Sequence, residues 1–193
     1  MTVFGWSDLD APSWAREGAD WPNRAASRFV RAAGLGWHVQ DLGEGPPALL
    51  LHGTGAATHS WRDIAPLLAP EFRVIAPDLP GHGFTESPPK ARMTLPGMAT
   101  SLRGLLDALA CEPALVVGHS AGAAVAVHLA LEGLVTPQLI VGLNAALFPY
   151  RGVGARVLAP VARVLSRTSI APLIVATRAR DPANVDRLIR GTG

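Results

Sequence analysis

The stretch Gly118-His119-Ser120-Ala121-Gly122 sets a single hydroxyl between two glycines, directly after the apolar run Leu115–Val117 and directly before an alanine-rich segment. A serine hydroxyl is a weak nucleophile until it is exposed, relieved of its proton and given donors for the oxyanion that forms on attack. A G-x-S-x-G turn between a strand and a helix answers the first and last of these needs. The abrupt reversal forces the serine into a strained backbone and lifts its Oγ clear of the strand. Glycines are needed at 118 and 122 because a Cβ at either position would strike neighbouring backbone. A helix starting at Ala121 aims unpaired N–H groups and the positive end of its dipole at the serine. Ser120 is therefore the candidate nucleophile and the Ala121 N–H the first candidate oxyanion donor, with Gly118, His119 and Gly122 building the turn. The second donor is expected from His52-Gly53-Thr54-Gly55, a glycine-rich stretch after the apolar run Ala48–Leu51. There the Thr54 N–H is the candidate, and His52 and Gly53 shape the loop.

These residues need a scaffold. Ser27–Val30 and Trp37–Leu42 read as short strands around the turn-forming Gly34 and Gly36. Ala48–Leu51, Arg73–Ala76, Ala114–Val117 and Leu139–Leu143 read as strands apolar on both faces. Between them lie a short helix over Trp61–Leu68, disturbed by Pro66, and a helix over Thr94–Ala110 with leucines at helical spacing. Ala121–Leu131 is the helix after the serine. Strands alternating with helices predict an α/β domain with a mostly parallel sheet and crossover helices. Residues 1–24 read as an irregular arm that Trp6, Trp14 and Trp21 can pin to a surface; residues 25–147 hold the core, and residues 148–193 begin a helical cap.

Pro113–Leu131 carries no charged side chain over nineteen residues, but the glycine turn interrupts it, so it is read as a buried strand and packed helix rather than a membrane span. Cys111 is the single cysteine, which excludes an internal disulfide and a cysteine-based metal site. No motif calls for a metal or an organic cofactor, and none is expected; nor is a nucleic-acid partner. The N-terminus has no basic region followed by an apolar stretch, and a cytoplasmic location is expected. Charge is uneven. Residues 1–147 hold 9 Lys and Arg against 13 Asp and Glu, whereas residues 148–193 hold eight arginines against Asp181 and Asp186. Arg156, Arg163 and Arg167 share one face of a helix whose other face carries Val153, Val157, Val161 and Val164. That segment can cover an apolar ligand, rest on an anionic membrane surface or pack against the core.

His52-Gly-Thr-Gly55, Asp78-x-x-Gly81-His82-Gly83 and Gly118-His-Ser-Ala-Gly122, in this order and spacing, resemble the α/β-hydrolase superfamily. Trp21-Pro-Asn-Arg24, Leu51 to Arg62, Ala76 to Thr85 and Gly118 to Ala124 are similar, more narrowly, to the magnesium-chelatase accessory proteins of bacteriochlorophyll biosynthesis, over about residues 20–193. The resemblance implies an α/β-hydrolase fold with a cap, an apolar, anionic, porphyrin-like small molecule as substrate, and association with magnesium chelatase. It also implies an acid and then a histidine downstream of the serine. His52 precedes the serine and is therefore read as a loop histidine, not the base.

After Ser120 the acids are Glu132, Asp181 and Asp186, and the only histidine is His128. His128 lies eight residues along the following helix, about 12 Å from the serine at 1.5 Å per residue, too far to take its proton. His59 and His82 sit in rim loops, and Asn144 ends the fourth strand where some relatives place an acid. The expectation is a chain that stops inside the cap, two strand–crossover units of about 30 residues each short of a whole domain. Three functions are carried forward: a bacteriochlorophyll-pathway accessory with a serine site, a non-catalytic porphyrin-binding module, and a generic esterase or lipase.

Overall fold

The computed structural model describes residues 12–147. The expected cap, its arginines and valines, and Trp6 lie outside the described residues. Six strands form one sheet: β1 (Ser27–Ala32), β2 (Leu35–Leu42), β3 (Pro47–Leu51), β4 (Arg73–Pro77), β5 (Leu115–His119) and β6 (Leu139–Leu143). Their spatial order is β1-β2-β4-β3-β5-β6. β1 pairs with β2 and β2 with β4 in antiparallel fashion, while β4, β3, β5 and β6 run parallel. The expected α/β class and mostly parallel sheet are present. The helices are α1 (Trp14–Glu17), α2 (Ile64–Leu68), α3 (Leu95–Ala108) and α4 (Ala121–Leu131).

The parallel strands read as apolar runs because both sheet faces are covered. Leu49, Leu51, Ile75 and Val116 point to one face, where Leu102, Leu105 and Leu106 of α3 and Val125, Ala126 and Leu129 of α4 complete a core with Trp37 and Val39. Leu50, Val74, Ala76 and Val117 point to the other, against Trp61 and Ala65. The run Pro113–Leu131 resolves into β5 and α4, and among the described residues no helix is long and apolar enough to cross a membrane. α3 begins where Thr94 caps it, its hydroxyl accepting from the Gly97 N–H at 3.3 Å, with Pro96 in the first turn.

Three local readings differ. The β1–β2 turn is Ala33-Gly34, both left-handed at φ 51° and 77°, and Gly36 lies within β2. The stretch Trp61–Leu68 splits into a 3-10 turn (Thr58–Trp61) and the short α2, since the chain must bend to bring Trp61 and Ala65 onto the sheet. The arm is not wholly irregular: α1 lies in it, and a 3-10 turn (Arg24–Ala26) begins at its last residue.

Candidate active site

Ser120 stands between β5 and α4 with φ 51° and ψ −116°, a backbone that L-residues rarely adopt. The neighbours dictate it. A Cβ on Gly118 would run into the Ala123 backbone, and one on Gly122 into the carbonyl oxygen of Leu51. Only glycine lets β5, the first turn of α4 and the end of β3 meet this closely. The Ser120 carbonyl accepts from the Ala123 N–H at 3.1 Å, which starts the helix immediately after the serine. The Ala121 N–H, at the first position of α4, has no intrahelical acceptor.

The loop after β3 lies against the serine. A Cβ on Gly53 would stand 3.1 Å from both the Ser120 Cβ and the His119 Nδ1. The Gly53 backbone thus lies beside the Ser120 side chain, and the His119 ring packs on the same loop. Thr54 follows, exposed, and its N–H has no acceptor among the described residues. The Ala121 N–H, next to the serine in α4, and the Thr54 N–H, one residue beyond the Gly53 that packs on it, both lack a backbone acceptor among the described residues.

His52 is fully buried, and both ring nitrogens are used. Nδ1 donates to the Gly53 carbonyl at 2.8 Å, and Nε2 accepts the Leu79 N–H at 2.8 Å. A ring that accepts at Nε2 is neutral, and burial pushes its pKa down to about 4. It has no lone pair left for a proton, so its work is to tie the β3 loop to the loop after β4. The His82 ring lies against it, tilted by 60° with the centroids 5.2 Å apart, and has its own Nδ1 at 3.1 Å from the Pro80 carbonyl. His128 lies in the last turn of α4, and among the described residues no histidine is hydrogen-bonded to the Ser120 hydroxyl.

Sequence reasoning missed a second buried network behind this site. Asp78 is fully buried and accepts from His38 Nδ1 at 2.7 Å, the Thr58 N–H at 2.7 Å and the Phe84 N–H at 2.9 Å. Burial alone would raise its pKa, but the hydrogen bond and charge of His38, with the N–H groups of Phe84 and Thr58, hold it below the ordinary carboxylate range. Trp14, Trp21, Phe29 and Phe84 surround the His38 ring. Trp21 also donates from Nε1 to the Thr58 hydroxyl at 2.9 Å. The arm thereby braces the residues that follow the Gly53 loop. Trp14 and Trp21 were legible as anchors; what they anchor to was not, because His38 and Asp78 are 40 residues apart. No group of three or more His, Cys, Asp or Glu suited to a metal occurs among the described residues.

The alpha/beta hydrolase fold family model matches residues 46–143. Over 178 residues the chain is 41% identical to the magnesium-chelatase 30 kDa subunit of Rhodobacter capsulatus, covering 91% of this chain and 62% of that one. It is 37% identical over 113 residues to 2-hydroxy-6-oxo-2,4-heptadienoate hydrolase of Pseudomonas putida, covering 57% and 41% of the two chains. An epoxide hydrolase structure from Vigna radiata matches with a TM-score of 0.58 at 32% identity, over 65% of this chain and 40% of that one. The chain spans less than two thirds of the length of each of these relatives. The expected place in bacteriochlorophyll biosynthesis does not stand, and the family match does not extend to the porphyrin-like substrate or the chelatase partner expected with it. Other curated relatives include 2-hydroxymuconate semialdehyde hydrolase of Pseudomonas and soluble epoxide hydrolase of Corynebacterium, and the solved neighbours include meta-cleavage product hydrolases and epoxide hydrolases. Most of the motif residues that carried the narrower resemblance build the elbow and its neighbouring loops, so they mark the hydrolase fold and not a pathway.

Proposed function

Because this chain belongs to the alpha/beta hydrolase fold family, we propose that it carries the nucleophile half of a serine hydrolase site acting on an activated carbonyl of a small, largely apolar substrate. The observation behind this reading is the strained Ser120 at the head of α4, with the Gly53 loop packed against it. In the proposed reaction the Ser120 Oγ adds to the carbonyl carbon while its proton passes to a histidine base, which the order of residues in this fold places after the serine and which the described residues do not supply. The oxyanion is received by the Ala121 and Thr54 N–H groups. Collapse expels the leaving group with a proton, and water then releases the acid from the acyl-serine.

The relatives include hydrolases of two kinds of bond, and the residue at position 120 distinguishes them. A carboxylate that opens an epoxide forms an ester, which water can cleave. A serine that opened an epoxide would form an ether, which water cannot cleave under the same conditions, and the site would stall after one turnover. Ser120 therefore favours acyl carbon, in an ester or in a carbon–carbon bond beside a ketone. The single cysteine, Cys111, buried with its thiol pKa pushed up to about 11 by burial, needs no oxidising compartment, and a cytoplasmic location is part of this proposal.

The test is acyl-enzyme formation. Intact mass after exposure to p-nitrophenyl esters is expected to show one acyl adduct, absent from Ser120→Ala. An epoxide that turned over catalytically while esters gave no adduct would remove this reading.

A further inference from the structure

The parallel ladder between β5 and β6 does not stop at its last residue pair, His119 and Leu143. It continues one step into the elbow, where the Ser120 N–H donates to the Leu143 carbonyl at 2.9 Å. The chain then reverses at Asn144, whose φ is 45°, and the Ala146 N–H returns to the Ser120 carbonyl at 3.1 Å. Both peptide groups of the strained serine are thus held by one short turn. The turn folds back closely: the Ala145 Cβ lies 3.0 Å from where a Cβ on Gly142 would stand.

Asn144, Ala145 and Ala146 are all exposed, so burial does not hold this turn in place. Its shape rests on the backbone preference of residue 144. Asparagine is, after glycine, among the residues that enter the left-handed region most readily, whereas a β-branched residue there is a strong outlier. A strained serine persists only where its surroundings over-determine it. α4 supplies one restraint on Ser120 through the Ala123 N–H, and the turn supplies two more.

We propose that the turn Leu143–Ala146 is a clamp on the nucleophile elbow and that Asn144 is its positioning residue, acting through its left-handed backbone and not through its amide. The structural part stands on hydrogen bonds alone; its consequence for rate rests on the reading of Ser120 as nucleophile. The test uses the full chain as wild type, Asn144→Gly and Asn144→Val, with amide hydrogen exchange followed at Ser120 and Ala146 and, as core references, at Val117 and Leu129. Asn144→Gly is expected to keep protection at Ser120 and Ala146 within about two-fold. Asn144→Val is expected to speed exchange at these two amides by about ten-fold, equivalent to about 1.4 kcal/mol, with the references unchanged. Equal protection in all three proteins, loss in the glycine variant, or equal loss at the references would overturn the clamp.

In parallel, Ser120-dependent hydrolysis of p-nitrophenyl butyrate is expected to lose kcat in Asn144→Val by about ten-fold at unchanged KM, and to keep kcat in Asn144→Gly. Exchange that rises with kcat intact would overturn the positioning role. If wild type and Ser120→Ala hydrolyse the ester equally, the hydrolase reading fails by itself, and hydrogen exchange still decides the clamp.

Discussion

At the scale of single residues, His52 has the most to say about pH. Its pKa in the folded chain is lowered to about 4, chiefly by burial, against 6.5 for a free imidazole. Between these values the unfolded chain binds a proton at this residue that the folded chain refuses. Stability from His52 is therefore fully present above pH 6.5 and is lost as pH falls toward 4, by about 3 kcal/mol across the window. His59, also lowered chiefly by burial, adds to the loss in the same direction. Asp78 acts lower down: its depressed pKa contributes stability that is present above the ordinary carboxylate value and lost only as pH falls below it. Urea unfolding at pH 7, 5.5 and 4.5 is expected to show falling stability, with a shallower fall in His52→Gln. Parallel profiles would place the proton uptake elsewhere. His52 could be read from its position as a loop residue, since both its partners, Gly53 and Leu79, lie at loops already visible as glycine and proline clusters. His38 could not. An alternating strand says that position 38 faces one side, but not that an aspartate 40 residues on waits there.

At the scale of elements, the elbow depends on three close approaches among β5, α4 and β3. A methyl group at 122 would meet the Leu51 carbonyl and one at 118 the Ala123 backbone, and neither obstacle is a side chain that can swing away. Gly118→Ala and Gly122→Ala are each expected to cost about 1–3 kcal/mol of stability and to abolish acylation of Ser120. Thermal unfolding together with adduct formation checks both effects, and a Gly122→Ala protein that unfolds and acylates like wild type would show that β3 and α4 stand further apart. Elements with a strong internal pattern were legible: β3, β4 and β5 as apolar runs bounded by glycine and proline, and α3 from its leucine spacing. Those set by tertiary contact were not. Ala33 takes a left-handed turn that alanine does not advertise, and the loop after Gly55 coils into two short pieces to place Trp61 and Ala65 on the sheet. Likewise Asn144 could be seen as an amide at the end of a strand, but its grip on Ser120 through Leu143 and Ala146 belongs to the backbone and left no mark in the residue types.

At the scale of the whole described fold, β1 and β6 are the outer strands of the sheet, and they are defended differently. β1 carries Arg28 and Arg31, which pair with Asp41 and Glu86. β6 has no charge and no proline from Gln138 to Leu143, and Leu139 and Leu143 are 57% and 37% exposed. Among the described residues no strand pairs with the outer side of β6; such an apolar edge offers its N–H and carbonyl groups to any other strand, and charged side chains are the usual means of blunting it. Leu139→Lys places a charge on this edge at the most exposed of its apolar positions. Because substitutions at exposed sites usually change stability by no more than about 0.5 kcal/mol, the variant is expected to keep the wild-type Tm within about 3 °C. Light scattering at high concentration and binding of an apolar dye are both expected to fall. A Tm lowered by much more, with dye binding unchanged, would mean that Leu139 is covered in solution, and the edge would then be an interface and not a liability.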